Sequence, residues 1–370
     1  MKIGLIGAGR LGICFALLLE QAGYDVVVSD VREDYVNDLN ERLIKSSEPY
    51  VAELLDDAKK FTAVLDNVEV IKQCDIIYTL VATPSLPDGS YDVSAVWQVI
   101  RDFQNANIPV NGKAFVVGCT TNPGDCENFQ SQLDAFGVDV YYNPEFIAQG
   151  SIIKDLRNAD MVLIGGSGNH LETIKEIYYK IQINEPKIYN MSTTAAELVK
   201  LAVNCYLTTK ITYANMVGEV MTLAGLENEI GEVLKAIGSD TRVGSKYLKY
   251  GYGFGGPCLP RDNRSFAAYA KKLGLQYNLG MTTDDFNNEH SNFLKNYFIK
   301  KNVDNLPFCF HYVSYKEGTD IITESQQYRL CLDLLNGGYK VYVIEDYVES
   351  QCDERIIFGV PNEEVFWIEL

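Results

Sequence analysis

The chain has 370 residues, 47% of them hydrophobic and 22% charged, enough apolar material for two or three folded domains and too much for a disordered protein. Fifty acidic residues against 32 basic ones give a net charge of −18, which argues against nucleic acid or an anionic membrane surface as partner; an anionic ligand must be met by local Lys and Arg side chains. Nine cysteines without paired spacing imply reduced thiols, three histidines form no metal-ligand pattern, and no signal peptide or membrane-length apolar run is visible, so a cytoplasmic protein without metal or membrane contact is expected.

The N-terminus reads as a strand running into Gly7-Ala8-Gly9-Arg10-Leu11-Gly12, then an apolar helix to Gln21 closed by Gly23. Strand, G-x-G-x-x-G and helix together form the dinucleotide fingerprint, in which backbone amides at the helix start hold a pyrophosphate. A second strand, Asp25–Ser29, ends in Asp30, an acid that suits the free ribose 2′-hydroxyl of NAD and opposes the 2′-phosphate of NADP; Arg32 nearby is a contrary sign. Apolar strands recur at Ile76–Leu80, Ala114–Gly118, Val138–Tyr142 and Met161–Ile164, and their alternation with helical segments predicts a Rossmann-type doubly wound parallel sheet. Thr193 to Ala224 carries one long helical periodicity without proline, long enough to bridge domains or build a subunit interface. Helices are expected at Glu227–Gly238 and Asp262–Leu273. A last α/β unit follows, with strands Phe308–Tyr312 and Lys340–Ile344 around a helix Glu324–Leu335. The expected fold is α/β in three parts: a Rossmann-type domain over residues 1–190, a central long-helix domain over 191–290, and a shortened Rossmann-like α/β domain over 291–370.

Between the expected helices lies Gly253-Phe254-Gly255-Gly256-Pro257-Cys258-Leu259-Pro260-Arg261-Asp262. A cysteine in a glycine-rich turn at a helix start, with Arg261 beside it, is placed where the thiolate is favoured, and Asp262 could handle protons or orient water. Taken alone, a buried structural cysteine in a tight turn is the simpler reading; the dinucleotide fingerprint changes it.

With both ends read, the chain resembles the UDP-glucose/GDP-mannose dehydrogenase family. The resemblance rests on the cysteine motif, on Asn143-Pro144-Glu145-Phe146-Ile147-Ala148-Gln149-Gly150 with Lys154-Asp155, on Glu197 through Asn204, and on Asp240-Thr241-Arg242-Val243-Gly244. It covers nearly the whole chain and weakens after about residue 306. It implies oxidation of a nucleotide-sugar primary alcohol to a carboxylate by two NAD and one cysteine, with UDP-glucose favoured and GDP-mannose or a UDP-N-acetylhexosamine as alternatives. Cys258 would capture the aldehyde as a thiohemiacetal, and a second oxidation would give a thioester that water hydrolyses. The resemblance casts Lys200 and Asn204, one helical turn apart, as oxyanion and water ligands, Glu145 and Asp262 as proton-handling carboxylates, and Thr120 as a water and cofactor contact. It assigns Gly7, Gly9, Arg10, Leu11, Gly12, Asp30, Thr83, Thr120 and Arg261 to the cofactor. To the substrate it assigns Glu145, Phe146, Lys200, Asn204, Arg242 (reaching in from a neighbouring subunit), Tyr247, Leu248, Lys249, Gly255, Cys258 and Lys316. A homodimer through the long helix is also implied.

The chain departs from the family pattern at several points. Gln149 stands where a second glutamate is usual, Tyr35 where a lysine helps hold the ribose, Arg261 for lysine, Pro257 for serine, and Thr323 for an arginine. The last domain ends early, which opens the alternative of a non-catalytic nucleotide-sugar-binding protein. A β-hydroxyacid dehydrogenase shares the first domain and the long helix but has no use for a nucleophilic cysteine.

Overall fold

The computed structural model describes residues 1–370, and internal contacts divide them into two compact units, Met1–Lys200 and Leu201–Leu370. The first unit opens with β1 (Lys2–Ile6), α1 (Arg10–Gln21), β2 (Asp25–Ser29), α2 (Glu33–Glu41), α3 (Val51–Asp57), β3 (Phe61–Val64), α4 (Asn67–Gln73) and β4 (Ile76–Thr79). It continues with α5 (Ser94–Gln104), β5 (Ala114–Val117), α6 (Asp125–Leu133), β6 (Asp139–Tyr142), α7 (Ile152–Arg157), β7 (Met161–Gly165), α8 (Leu171–Ile181) and β8 (Lys187–Met191). The strands form one sheet in the order β3-β2-β1-β4-β5-β6-β7-β8. Its first six strands carry the 3-2-1-4-5-6 order of the Rossmann fold. Alternate residues of each strand feed two apolar clusters: Leu5, Val28, Tyr78 and Val116 pack on one face, Ile6, Val27, Ile77 and Val117 on the other. Burial on both faces explains why these strands read as continuous apolar runs rather than alternating ones.

The sheet is not wholly parallel, contrary to the sequence expectation. β6 meets β7 antiparallel through the single pair Tyr142↔Gly165, and β8 then runs parallel to β7. The connection from Asn143 to Asp160 carries only the six-residue helix α7. Antiparallel pairing at the last residue of each strand leaves Met161–Ile164 beyond the carboxyl end of β6, beside Asn143, whose side-chain amide donates to Leu163 O at 2.9 Å.

One long helix, α9 (Thr193–Leu223, 31 residues), continues from the first unit into the second. The second unit adds α10 (Ile230–Ser239), entered through a 3₁₀ turn at Glu227–Glu229, then α11 (Leu259–Lys272) and α12 (Leu279–Lys301). α11 begins three residues before the expected start, with Pro260 in its first turn, where a missing N–H costs nothing. A four-stranded parallel sheet follows, ordered β11-β10-β9-β12, from β9 (Phe308–Phe310), α13 (Gln326–Asn336), β10 (Val341–Val343), β11 (Ile357–Phe358) and β12 (Phe366–Trp367). α13 packs Leu330 and Leu334 against Phe308, Phe310 and Val341 of that sheet. No helix of the chain is long and apolar enough to cross a membrane.

Candidate active site

The turn between β1 and α1 has the geometry that its glycines require. Gly7 has φ +98°, and a Cβ on Gly12 would stand 2.1 Å from Gly7 O, so the third glycine lets α1 close onto the turn. A Cβ on Gly9 would meet nothing within 4 Å: the middle glycine keeps open the space that the pyrophosphate of a dinucleotide needs, and the turn fits that group. Arg10 extends outward to donate to Ser47 Oγ at 2.9 Å, while Leu11 packs on the core. Thr83, after β4, is buried.

Asp30, at the end of β2, accepts from Ala8 N at 3.2 Å and from Arg32 Nε and Nη2 at 2.8 and 2.9 Å. Burial acts to raise the carboxyl pKa, but the bonds from Arg32 outweigh it and hold Asp30 below the usual carboxylate range. The Arg32 guanidinium lies 4.0 Å over the ring of Tyr35, and Tyr35 Oη donates to Ala8 O at 3.0 Å. Arg32 thus places its cation between Asp30 and the Tyr35 ring.

Glu145 follows β6 at the carboxyl edge of the sheet, where ligands bind in this architecture. Desolvation pushes its carboxyl up to about 7, against the opposing effects of the Tyr178 hydroxyl and the Lys200 ammonium. Tyr178 Oη lies 2.5 Å from Glu145 Oε1 and 2.7 Å from Asn143 Oδ1. Lys200 Nζ donates to the backbone oxygen of Glu145 at 2.8 Å and sits 4.7 Å over the ring of Phe146, so residues 145 and 146 hold the ammonium group together. Glu48, invisible to sequence reasoning, is buried and accepts from Gly150 N at 2.7 Å and Ile152 N at 3.3 Å, fixing the far end of the Glu145 loop.

Thr120, after β5, is half-buried. Its neighbour Thr121 is buried and donates to Glu197 Oε1 at 2.8 Å, and Glu197 also accepts from Gly124 N at 2.7 Å and Cys126 N at 3.0 Å at the start of α6. Glu197 therefore staples the Thr120 loop to the first turns of α9, three residues before Lys200. Desolvation pushes its carboxyl up to about 7, and the same hydrogen bonds oppose the shift. In the sequence Glu197 is visible only as a motif member, because its partners are mostly backbone amides more than seventy positions away.

In the second unit Cys258 is the N-cap residue of α11 and is exposed, whereas seven of the other thiols are buried and Cys352 is half-buried. Asp262, one turn on and buried, accepts a short hydrogen bond from Asn204 Nδ2 of α9. The next residue of α11, buried Asn263, accepts from Thr208 Oγ1, one turn beyond Asn204 on α9, at 2.8 Å and donates to Gly280 O at 2.8 Å, pinning α11 between α9 and α12. A polar frame secures the loop before the cysteine. Asn287 bonds both N and O of Phe254, Asn215 accepts from Gly251 N at 3.1 Å, and His290 places Nε2 2.7 Å from Gly251 O and Nδ1 2.7 Å from Glu219 Oε1. Gly255 closes on Glu324 O, and Gly256, at φ +81°, lies under the Tyr315 ring, where a Cβ would come within 2.4 Å. The loop bearing exposed Lys316 is thereby seated on the cysteine turn. Arg261 is half-buried in the first turn of α11.

The remaining expected ligands lie apart from this cluster. Arg242 is exposed and forked onto Asp240, with Nη2 to Oδ2 at 2.7 Å. Tyr247 is exposed at φ +63°, while Leu248 packs with Ala214, Met221 and Leu234. Leu248 and Lys249 line a cavity of about 520 Å³ with Thr222, Ile230 and Tyr250, which none of Asn204, Cys258 and Asp262 borders.

Comparison with known proteins agrees with this architecture. Residues 1–182 match the NAD binding domain of the UDP-glucose/GDP-mannose dehydrogenase family and residues 194–289 its central domain. The chain is 28% identical over 372 residues to the UDP-glucose 6-dehydrogenase AglM of Haloferax volcanii, covering 96% of this chain and 85% of the relative. It is 30% identical over 295 residues to the UDP-glucose 6-dehydrogenase of Rhizobium meliloti, covering 76% and 66%. Among solved structures, a UDP-glucose dehydrogenase from Pyrobaculum islandicum superimposes with a TM-score of 0.88 at 26% identity, over 97% of this chain and 86% of that one. The UDP-D-ManNAc dehydrogenase of Pyrococcus horikoshii, at 23% identity and a TM-score of 0.81 over 94% and 84%, shares the fold. The cofactor is NAD, the reaction class is nucleotide-sugar oxidation, and the chain belongs to the UDP-glucose/GDP-mannose dehydrogenase family.

Proposed function

We propose that the protein oxidises UDP-glucose to UDP-glucuronate in two steps, with Cys258 as the covalent nucleophile. The observation that carries this reading is the exposed Cys258 thiol at the start of α11, among thiols that are otherwise wholly or partly buried. The Gly7–Gly12 turn and Asp30 would hold NAD, which would supply the hydride acceptor for each oxidation. After the first oxidation, Cys258 Sγ adds to the aldehyde carbon and the carbonyl oxygen takes a proton, giving a thiohemiacetal. The second oxidation converts this to a thioester. Water then adds to the thioester carbon, the C–S bond breaks, and the thiol is regenerated with release of the carboxylate. Lys200 supplies positive charge to the developing oxyanion, Asn204 and Thr120 orient water, and Asp262 and Glu145 exchange protons.

The relatives from Haloferax volcanii and Rhizobium meliloti and the Pyrobaculum islandicum structure are UDP-glucose enzymes, which supports UDP-glucose over GDP-mannose; the UDP-D-ManNAc dehydrogenase of Pyrococcus horikoshii, at lower identity, keeps a UDP-N-acetylhexosamine as the second reading. Incubation with NAD and each of these sugars is expected to yield two NADH per UDP-glucose consumed and no free aldehyde. One NADH per sugar with aldehyde released overturns the covalent route, and faster oxidation of another sugar overturns the substrate. In this proposal residues 1–190 bind NAD, 191–290 carry the thiol, and 291–370, with Lys316, meet the nucleotide. Gly255 adds a substrate contact, Arg242 reaches in from a neighbouring subunit, and Tyr247, Leu248 and Lys249 form the loop proposed to clasp the nucleotide.

We further propose a homodimer through α9. Tyr206, Tyr213, Met216, Val220 and Leu223 are exposed at spacings of seven, three, four and three, an apolar stripe suited to a facing helix, with Leu223 at 78% exposure and Val220 at 61%. Tyr206→Glu with Val220→Glu is expected to halve the particle mass in light scattering. A double variant that keeps the parent mass overturns the interface.

A further inference from the structure

We propose that Asn143 captures the only proton of the Tyr178 hydroxyl, so that Glu145 rests as a neutral acid that donates to Tyr178 instead of accepting from it. Tyr178 Oη stands within hydrogen-bond reach of two oxygens, Asn143 Oδ1 at 2.7 Å and Glu145 Oε1 at 2.5 Å. A neutral phenol has one proton to donate. Burial keeps Tyr178 in that neutral form, pushing its hydroxyl well above the usual range. Asn143 cannot be turned to offer its amide instead, because Nδ2 already donates to Leu163 O at 2.9 Å and a flipped oxygen would face that carbonyl. Asn143 therefore presents an acceptor, Tyr178 satisfies it, and the short contact to Glu145 needs a proton from the carboxyl. Two oxygens 2.5 Å apart without a proton between them would repel.

Three groups face Glu145, and the burial they create outweighs the pull of the Lys200 ammonium toward the charged form. Tyr178 approaches from α8, Tyr78 from β4 and Lys200 from α9. Lys200 directs its ammonium to the backbone oxygen of Glu145 and to the Phe146 ring. Tyr78 Oη is buried without a hydrogen-bond partner. The network ends at Leu163 O inside the protein, so the proton on Oε1 has no exit through Asn143. Asn143 and Tyr178 are thus positioning residues: they set which form of Glu145 meets the substrate without touching it.

The test is an infrared titration of the full-length protein, reading the carboxylic C=O band that disappears in Glu145→Gln. Asn143→Ala frees the Tyr178 hydroxyl to donate to the carboxylate, and the midpoint of the band is expected to fall by about one pH unit or more. In a Tyr178→Phe background the same substitution is expected to move it little, because the effect passes through the hydroxyl. Asn143→Leu, close in volume, serves the same purpose if alanine loosens the sheet edge. A midpoint that stays or rises in Asn143→Ala, or falls equally with Tyr178→Phe, overturns the proposal. Its catalytic consequence rests on the role proposed above for Glu145: the acidic limb of kcat should follow the infrared midpoint. A band that shifts while that limb stays leaves the relay standing and removes Glu145 from turnover.

Discussion

Cys258→Ser is expected to lower steady-state oxidation of the nucleotide sugar about a thousandfold or more, with the melting temperature unchanged. The side chain is exposed at a helix N-cap, so replacing sulfur by oxygen opens no cavity. A serine hydroxyl is not ionised near neutral pH, and an ester formed at it hydrolyses more slowly than a thioester. The variant should therefore release at most about one equivalent of product per chain before stalling. Stopped-flow NADH formation separates that burst from turnover, and circular dichroism checks the fold. Turnover within a few-fold of the parent would remove Cys258 from the reaction.

The second large effect separates two glycines of one turn. Gly12→Ala is expected to destabilise the first unit and abolish NAD binding together, because the new methyl would stand 2.1 Å from Gly7 O, a backbone atom that cannot step aside. Overpacking of this kind costs about 1–3 kcal/mol, and here the displaced element is α1 itself. Gly9→Ala has open space around its methyl, so thermal stability should hold while the Kd for NAD rises about tenfold or more, because the methyl occupies the room kept for the pyrophosphate. Calorimetric titration and thermal melting of both variants provide the check. If Gly9→Ala binds NAD as tightly as the parent, the pyrophosphate lies elsewhere.

Much of this was legible in the residues. β1, β2, β4, β5, β6 and β7 stood out as apolar runs because both faces of the sheet are covered, and the G-x-G-x-x-G turn needed no structure to be seen. β8 escaped because every side chain of Lys187–Met191 is partly or wholly exposed, and the reversal at β7 escaped because strand direction leaves no local trace. α12 escaped because it is rich in asparagine and charge, though Asn287 and His290 prove to be buried. Within the candidate site, Glu145, Lys200, Asn204, Cys258 and Asp262 were named by motif. The residues that hold them, Glu48, Tyr178, Glu197 and Asn263, were not singled out. A tyrosine on the apolar face of α8 reads as core, and a carboxylate bonded to distant amides reads as surface.

The single pair joining β6 to β7 also governs how the first unit opens. Five strand pairings bind β3 through β6 into one block, and five residue pairs bind β7 to β8, but one pair links the blocks. Amide exchange should therefore divide the sheet into two cooperative units, with the β7–β8 ribbon exchanging at lower opening energy than β1, β4 and β5. The Asn143 side-chain bond to Leu163 O crosses that seam, so each opening of the ribbon takes away the acceptor that fixes Asn143. Sub-global breathing of an outer ribbon would then reach the ionisation of Glu145 without any movement of β1 or of the glycine turn.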